Sequence, residues 1–381
     1  MGVNRVFHSH AKHRATPEEL LSPGAIWSSE SNNPVLRTQT TDATANSYER
    51  RSVGYDCGQN LSTAKYRAWP PRQLSLALQG GGSFGAFTWG VLDRLLQEPT
   101  ISLDTISGAS AGAVNAVLLA CGLVEGGRKR AREKLDRFWK RITDDASLLS
   151  LMAIPNYPHS GTLGMFGRAL SPAQFNPFDF NPLRRLLATE IDFSTLRHAA
   201  SPKLLVAATR VRDGRLHIFR NNDITVDAVL ASTCLPAIHR AVEIDGEAYW
   251  DGAYVANPPI LQLVHESNAP HLLVVQLTPA NDARIPVTNV DIDRRLDQIM
   301  FNSALNAEVA ALDLARKVQA TPKLLSLQMS RIAAENEIDG LALRSAGDLG
   351  RGFIKLLHEG GRRAADQWLS QLPQEMPTEI E

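Results

Sequence analysis

Two glycine-rich turns constrain the fold of this 381-residue chain more than any other feature of its sequence. Each turn lies between an apolar run of strand length and a stretch whose apolar residues recur at helical spacing. The two units span 74–97 and 101–123, and their turns are 80–82 and 108–112. Strands that alternate with helices favour right-handed crossovers and a mostly parallel sheet. The sequence therefore predicts an α/β fold for this region.

Further strands and helices are predicted downstream of these two units. A hairpin turn at Asp213-Gly214 separates two apolar runs, as expected for adjacent antiparallel strands. Apolar residues return at helical spacing beyond Pro286 and again near the end of the chain. The predicted elements are strands at 204–209, 216–219, 271–277 and 324–328, and helices at 292–318 and 353–369.

The composition divides the chain into three regions. Residues 1–71 are rich in Ser, Thr, Asn, Pro and charge, and they offer too little apolar surface to offset their ordering entropy. We expect this segment to be poorly structured. Residues 72–280 form the predicted α/β domain, and residues 281–381 a mostly helical part that packs on it.

Charge and cysteine content exclude several classes of protein. The 40 Lys and Arg residues equal the 40 Asp and Glu residues, which argues against a general electrostatic nucleic-acid binder. Cys57, Cys121 and Cys234 are far apart and lack CxxC spacing, which argues against a disulfide framework or a zinc site. The first 30 residues contain no apolar core of a signal peptide, and the longest strictly apolar run is 116–121. These features favour a reducing, cytoplasmic location.

The second glycine turn carries a candidate nucleophile. Gly108-Ala109-Ser110-Ala111-Gly112 matches GxSxG, a sharp strand-to-helix turn that projects a serine hydroxyl out of the backbone. The motif lies between a predicted strand and an alanine-rich helix, which is the setting this chemistry requires. Ser110 is therefore the candidate nucleophile, and a structural serine in a tight turn is the alternative.

The first glycine turn allows two interpretations. Gly80-Gly81-Gly82-Ser83-Phe84-Gly85 fits the GxGxxG pattern of a dinucleotide-binding loop. That interpretation requires an acidic residue at the end of the next strand, and Glu98 and Asp104 lie in unsuitable positions. The alternative is an oxyanion hole, in which amides of a glycine turn at a helix N-terminus face developing negative charge. Neighbouring strands would then place Ser110 beside these donors.

A serine nucleophile also needs a base. Asp251, in Trp250-Asp251-Gly252-Ala253, follows a predicted strand end at a position where glycine permits a sharp turn. It is the candidate base, and a carboxylate that caps an ordinary turn is the alternative. His265 and His271 follow Asp251, so a Ser-Asp-His triad in the chain order of α/β-hydrolases also remains open.

Together the three motifs resemble the patatin-like phospholipase family. Its signature is a glycine-rich oxyanion loop, a GxSxG turn and a later Asp-Gly-Gly or Asp-Gly-Ala, and Asn257-Pro258 also resembles a pair that often follows in the family. The resemblance covers about residues 73–277 and implies a three-layer α/β/α fold around a mostly parallel sheet. Phe84 is a departure, because family members commonly carry Arg or Lys at this position. The implied site consists of the dyad Ser110 and Asp251, the donors Gly80, Gly81 and Gly82, and the motif positions Gly85, Gly108, Gly112, Gly252 and Ala253.

The resemblance implies a serine lipid acyl hydrolase, phospholipase A-like or an esterase. No acidic loop with the ligand spacing of a Ca²⁺ site is present in the sequence, so we expect no metal or cofactor. The alternatives are a triad esterase, a lipid transacylase and a non-catalytic scaffold. Two segments are relevant to a lipid partner. The apolar stretch 146–178 is either a cap over the core or a lipid-facing lid. The basic run at 128–141 is either a solvated helix face or a peripheral membrane contact.

Overall fold

The computed structural model describes residues 69–144, 174, 181–236, 239–318 and 321–371. These residues form one eight-stranded sheet with helices on both faces. The strands are β1 (Gln73–Leu78), β2 (Ser102–Gly108), β3 (Lys203–Arg210), β4 (Leu216–Arg220), β5 (Val242–Ile244), β6 (Glu247–Asp251), β7 (His271–Gln276) and β8 (Gln328–Ala333). The helices are α1 (Gly85–Leu95), α2 (Ala111–Asp144), α3 (Pro182–Glu190), α4 (Val226–Ser232), α5 (Ile260–Glu266), α6 (Asn289–Val318), α7 (Pro322–Ser326) and α8 (Arg351–Ser370).

The sheet is mostly parallel, as expected. Its strand order is β5-β6-β3-β2-β1-β7-β8, and β4 pairs with β3 beside this path. Strands β3, β2, β1, β7 and β8 run parallel, whereas β4, β5 and β6 form the antiparallel part. The carboxyl ends of the parallel strands lie together at one end of the sheet, and this is where open α/β sheets place their binding sites.

Alternating side chains of the central strands build a core on each face of the sheet. In β1, Leu76 and Leu78 pack with residues of α1, α2 and α8, whereas Ala77 packs on the opposite face with α5 and α6. Strand β7 shows the same alternation, with Leu273 on the first face and Leu272 on the second. Because both faces of these strands are covered, β1 and β7 are largely apolar, apart from the buried Ser75 in β1 and polar residues at the strand ends. The expected three-layer α/β/α arrangement is confirmed.

The region after residue 280 is mostly helical, yet it also completes the sheet. Strand β8 pairs in parallel with β7, and α8 packs against α1 on the first face. The predicted strand at 324–328 is wrong, because Thr321 caps α7 and Pro322 occupies its first turn. The strand begins only at Gln328. The boundary at 280 stays a prediction, and both sides of it share one sheet and one core.

Two other predictions concern segments that lie largely outside the described residues. These are the poorly structured N-terminal segment 1–71, of which 69–71 are described, and the apolar stretch 146–178, of which Gln174 is described.

Candidate active site

The turn between β2 and α2 holds Ser110 in a strained backbone conformation. Its φ is 52°, a left-handed value that non-glycine residues adopt rarely. The Ser110 amide donates a hydrogen bond to Ser232 Oγ at 3.0 Å, which fixes the turn to α4. Gly112 is required for close packing, since a Cβ there would overlap the Leu78 carbonyl. The sharp turn leaves the half-buried Ser110 at the start of α2.

The first glycine turn lies beside Ser110 and contributes backbone donors. The Gly80 amide donates to Asn257 Oδ1 at 2.7 Å, so it holds the loop in place instead of facing a ligand. Among the described residues, no acceptor binds the amides of Gly81, Gly82 or Ala111. Gly82 has a φ of 56° and opens a short 3₁₀ helix, and a Cβ there would overlap the Ala346 carbonyl. Three amides therefore remain as candidate oxyanion donors.

Sheet register brings Asp251 to Ser110. Strand β4 occupies one edge of β3, so β2 and β6 must share the other edge. The β2 ladder ends with Gly108 opposite Val206, and Asp251 of β6 lies opposite Ala208. The two strands thus meet end to end along β3. Ser110 leaves β2 at the point where β6 ends with Asp251.

The carboxyl of Asp251 is buried and has few partners. Its residue is 1% exposed, and Oδ1 accepts a hydrogen bond from the Ala253 amide at 2.8 Å. The Ser110 side chain lies close enough to this carboxyl to lower its pKa. Burial raises the pKa of Asp251 to about 7, against the lowering effect of the Ala253 amide and the Ser110 hydroxyl. A carboxylate with this pKa is a much stronger base than an exposed one.

These groups open into one cavity of about 470 Å³. Ser110, Asp251 and the three glycines of the first turn all line it. Much of its wall is apolar, whereas ionisable side chains from several elements lie at other parts of the lining. The apolar side chains are Phe84, Val114, Phe138, Trp139, Ile142, Leu183, Leu230, Leu235, Val242, Phe301, Leu343 and Leu349.

The remaining motif positions are explained by close packing. Phe84 is 4% exposed, lies edge-to-face against Phe353 with ring centroids 6.1 Å apart, and so turns into the core. The other motif glycines leave no room for a side chain. A Cβ at Gly85 would lie 2.8 Å from Ala111 Cβ, and a Cβ at Gly108 would lie 2.6 Å from the Gly112 carbonyl carbon. A Cβ at Gly252 would overlap the Ala207 carbonyl.

Neither histidine of the open triad alternative lines this cavity. His271 begins β7, where its Nε2 lies 2.9 Å from Ser330 Oγ and its ring packs against Trp69 and Trp368. His265 lies in the last turn of α5. His239 does line the cavity, and the sequence analysis did not single it out.

Three further residues support the site without a sequence signal that marked their role. Ser232 holds the Ser110 turn, Asn257 holds the glycine loop, and Ala111 offers an amide at the first turn of α2. The Asn-Pro pair and the position after the GxSxG serine were the available hints. The partners themselves depend on tertiary contacts.

The basic run on α2 is largely occupied by contacts within the protein. Glu190, 3% exposed, binds Arg137 at 3.5 Å and Arg141 at 2.6 Å. Seven of its eight cations form such contacts: Arg128 with the Ile101 carbonyl, Arg130 and Lys134 with Glu125, Arg132 with Asp93, Lys140 with Asp136, and the two that bind Glu190. Most of these cations thus have partners within the protein, and peripheral membrane contact stays a prediction.

Within the described ranges, no three His, Cys, Asp or Glu side chains lie close enough together to hold a metal ion. The described helices likewise include none whose length and hydropathy would suffice to cross a bilayer.

Comparison with known proteins decides the family. Residues 76–264 match the model of the family described as patatin-like phospholipase. These residues belong to the patatin-like phospholipase family. The match contains all three motifs and ends within α5, whereas the sheet continues beyond the matched residues with β7 and β8.

Similar proteins come from an animal and from bacteria. The mouse "1-acylglycerol-3-phosphate O-acyltransferase Pnpla3" is 26% identical over 58% of this chain and 51% of its own. The "cGAMP-activated phospholipase" of Escherichia coli (strain TW11681) is 28% identical over 50% of this chain and 54% of its own. The crystal structure of VipD from Legionella pneumophila superposes with a TM-score of 0.37 and 16% identity, over 80% of this chain and 68% of that one. This chain thus spans about half the length of the mouse protein and of the Escherichia coli phospholipase.

Proposed function

We propose that this protein is a serine lipid acyl hydrolase, which cleaves carboxylic esters of lipids through an acyl-enzyme. The observation that carries the proposal is the meeting of three groups in one cavity. They are the Ser110 hydroxyl, the buried Asp251 carboxyl and the amides of the glycine turn. Membership of 76–264 in the patatin-like phospholipase family supports the same chemistry.

In the proposed reaction, Ser110 Oγ attacks the ester carbonyl carbon while Asp251 accepts the hydroxyl proton. The amides of Gly81, Gly82 and Ala111 donate to the oxyanion that forms. The C–O bond to the alcohol then breaks, and Asp251 returns the proton to the leaving oxygen. Water attacks the acyl-enzyme by the reverse proton path, which releases the fatty acid and restores the Ser110 hydroxyl.

A carboxylate is ordinarily a poor base for an alcohol, and two features of the site reduce the mismatch. Burial raises the pKa of Asp251 to about 7, so the carboxylate is a stronger proton acceptor than an exposed one. The preorganised amides stabilise the oxyanion, and one such donor is typically worth about 2.7–4 kcal/mol of the barrier.

The lipid character of the proposed substrate rests on the cavity wall. A volume of about 470 Å³ with a largely apolar lining suits an acyl chain, because the transfer of apolar surface out of water lowers the free energy. Phe138, Trp139 and Ile142 of α2 contribute to the wall of the cavity that Ser110 also lines. Contact with a membrane surface stays a prediction of the sequence.

Incubation with a mixed lipid extract tests the proposal. Wild type is expected to release fatty acids and to react with a fluorophosphonate probe, whereas Ser110→Ala should do neither. Ser345→Ala is the matched control, because this serine lines the same cavity and should be dispensable. A folded wild type that neither reacts with the probe nor releases fatty acid would support the non-catalytic alternative.

Transacylation is a second candidate, favoured by the acyltransferase name of the mouse relative. The acyl-enzyme would be the same, and a lipid hydroxyl would replace water as the acceptor. Incubation of wild type with a labelled acyl ester and increasing monoacylglycerol separates the two reactions. Labelled diacylglycerol in place of fatty acid would assign the transfer.

A further inference from the structure

Three arginines that line the active-site cavity, Arg184, Arg294 and Arg344, differ in their partners. Arg184 pairs with Asp227 at 2.6 Å, and Arg294 pairs with Asp291 at 2.8 Å. Arg344 lines the same cavity, and no carboxylate among the described residues lies within ion-pair distance of its guanidinium. Its side chain instead contacts the Phe353 ring, with Cζ 5.2 Å from the ring centroid. Within the described part of the chain, a cation that no carboxylate pairs with is thus part of the cavity wall.

The loop that carries Arg344 is built onto the glycine turn. Ser83 donates its amide to the Ala346 carbonyl at 2.7 Å, and Gly82 packs so closely that a Cβ would overlap that carbonyl. The aromatic contact between Phe353 and Phe84 joins the same two regions. A second link comes from α6, where Gln298 Nε2 donates to the Ala342 carbonyl at 2.9 Å. The loop that carries Arg344 is therefore fixed against the glycine turn, with Ala346 in direct contact with it.

The chemistry of this position favours a phosphate group. A guanidinium presents paired N–H donors that match the oxygens of a phosphate, and an aromatic face below it holds the planar group in place. Asp293 and Asp297 of α6 also line the cavity, and the ion pairs of the described residues include none that involves Arg344. No carboxylate among the residues described here therefore competes with a ligand anion for the guanidinium.

We propose that Arg344 binds the headgroup phosphate of a glycerophospholipid, so that the substrates of this site are phospholipids in preference to neutral acylglycerols. The inference rests on the proposed lipid acyl hydrolase function. Arg344 acts here as a specificity-determining residue, because it contacts the headgroup and takes no part in proton transfer.

The test compares two lipids with identical acyl chains, phosphatidylglycerol and diacylglycerol, in the same non-ionic detergent micelles. For Arg344→Gln, kcat/KM on phosphatidylglycerol should fall by about 10- to 100-fold, the usual effect of losing a charge-assisted hydrogen bond, mostly through KM. Activity on diacylglycerol should stay within about twofold of wild type. Arg344→Lys should recover part of the loss, since it keeps the charge without the paired donors.

Arg184→Gln is the matched control, because Arg184 lines the same cavity and already has a carboxylate partner. It should change activity on the two lipids by the same factor. An equal loss on both lipids for Arg344→Gln would overturn the inference, as would a wild type that prefers diacylglycerol. Failure of the proposed function itself looks different, since wild type would then release fatty acid from neither lipid.

Inorganic phosphate distinguishes a lipid headgroup from a free anion. Wild-type hydrolysis of diacylglycerol that is unaffected by millimolar phosphate supports a site completed only by lipid-linked phosphate. Inhibition by phosphate that Arg344→Gln abolishes would assign the residue to a free anion and overturn the inference.

Discussion

Asn257 Oδ1 accepts the backbone amide proton of Gly80 at 2.7 Å, across 177 positions of sequence. The same side chain donates through Nδ2 to the Phe301 carbonyl of α6 at 3.2 Å. Asn257 is fully buried, so no water replaces either bond. One amide side chain thus connects the candidate oxyanion loop, the segment after Asp251 and helix α6, which lines the cavity.

Asn257→Ala should therefore impair catalysis by loosening the glycine loop. A buried amide left without its acceptor costs about 1–3 kcal/mol, and we expect kcat on a soluble ester to fall by roughly 10-fold or more with a smaller change in KM. Asn257→Asp keeps an acceptor for Gly80 and should retain more activity than Asn257→Ala. Equal losses in both variants would contradict the role of this hydrogen bond.

The pH dependence of hydrolysis should follow Asp251. Because burial raises the pKa of this carboxyl to about 7 and the base must be ionised, kcat/KM should rise with pH through about 7 and level off above it. The measurement is a pH series with a neutral ester whose product is quantified independently of pH. A profile that is flat between pH 5 and 8 would argue against Asp251 as the base.

The same group should make folding stability depend on pH. Since the folded-state pKa of Asp251 lies above its ordinary value of 3.8, the folded protein holds an extra proton between about pH 4 and 7, and this group's contribution falls as pH rises through that window. Asp251→Asn removes the titration. The free energy of unfolding of Asp251→Asn relative to wild type should therefore increase by about 3 kcal/mol between pH 5 and 8, as an order of magnitude. Chemical denaturation of both proteins at the two pH values measures it, and an unchanged difference would show that the carboxyl is not buried as described.

Glycine-to-alanine substitutions at two helices should have opposite effects. A Cβ at Gly112 would overlap the Leu78 carbonyl, so Gly112→Ala must displace β1 or the Ser110 turn and should destabilise by several kcal/mol. Gly352 of α8 has open space around its Cβ position, so Gly352→Ala should be neutral or stabilise by up to about 1 kcal/mol. Thermal unfolding and fluorophosphonate labelling of both variants test this contrast. Similar melting temperatures would contradict the close approach of β1 and α2.

The accuracy of the sequence predictions depended on how local their signals were. The two strand–turn–helix units, the hairpin at Asp213-Gly214 and the helices of the C-terminal part are confirmed, since turn residues and apolar spacing specify them directly. The strand predicted at 324–328 was wrong because a local Thr-Pro helix start competed with an apolar run. Gly80 was predicted as an oxyanion donor, but its amide donates to Asn257 Oδ1 instead. No local sequence pattern connects these two residues.

By itself, the sequence determined the turns, the nucleophile motif and the strands that alternate with helices, because backbone conformation and side-chain spacing are properties of neighbouring residues. Only the tertiary structure decided which distant groups meet. Ladder register along β3 places Asp251 beside Ser110, burial raises the pKa of that carboxyl, and the loop of Arg344 reaches the glycine turn from far along the chain. These relationships depend on packing between elements, and packing has no signature in the order of adjacent residues.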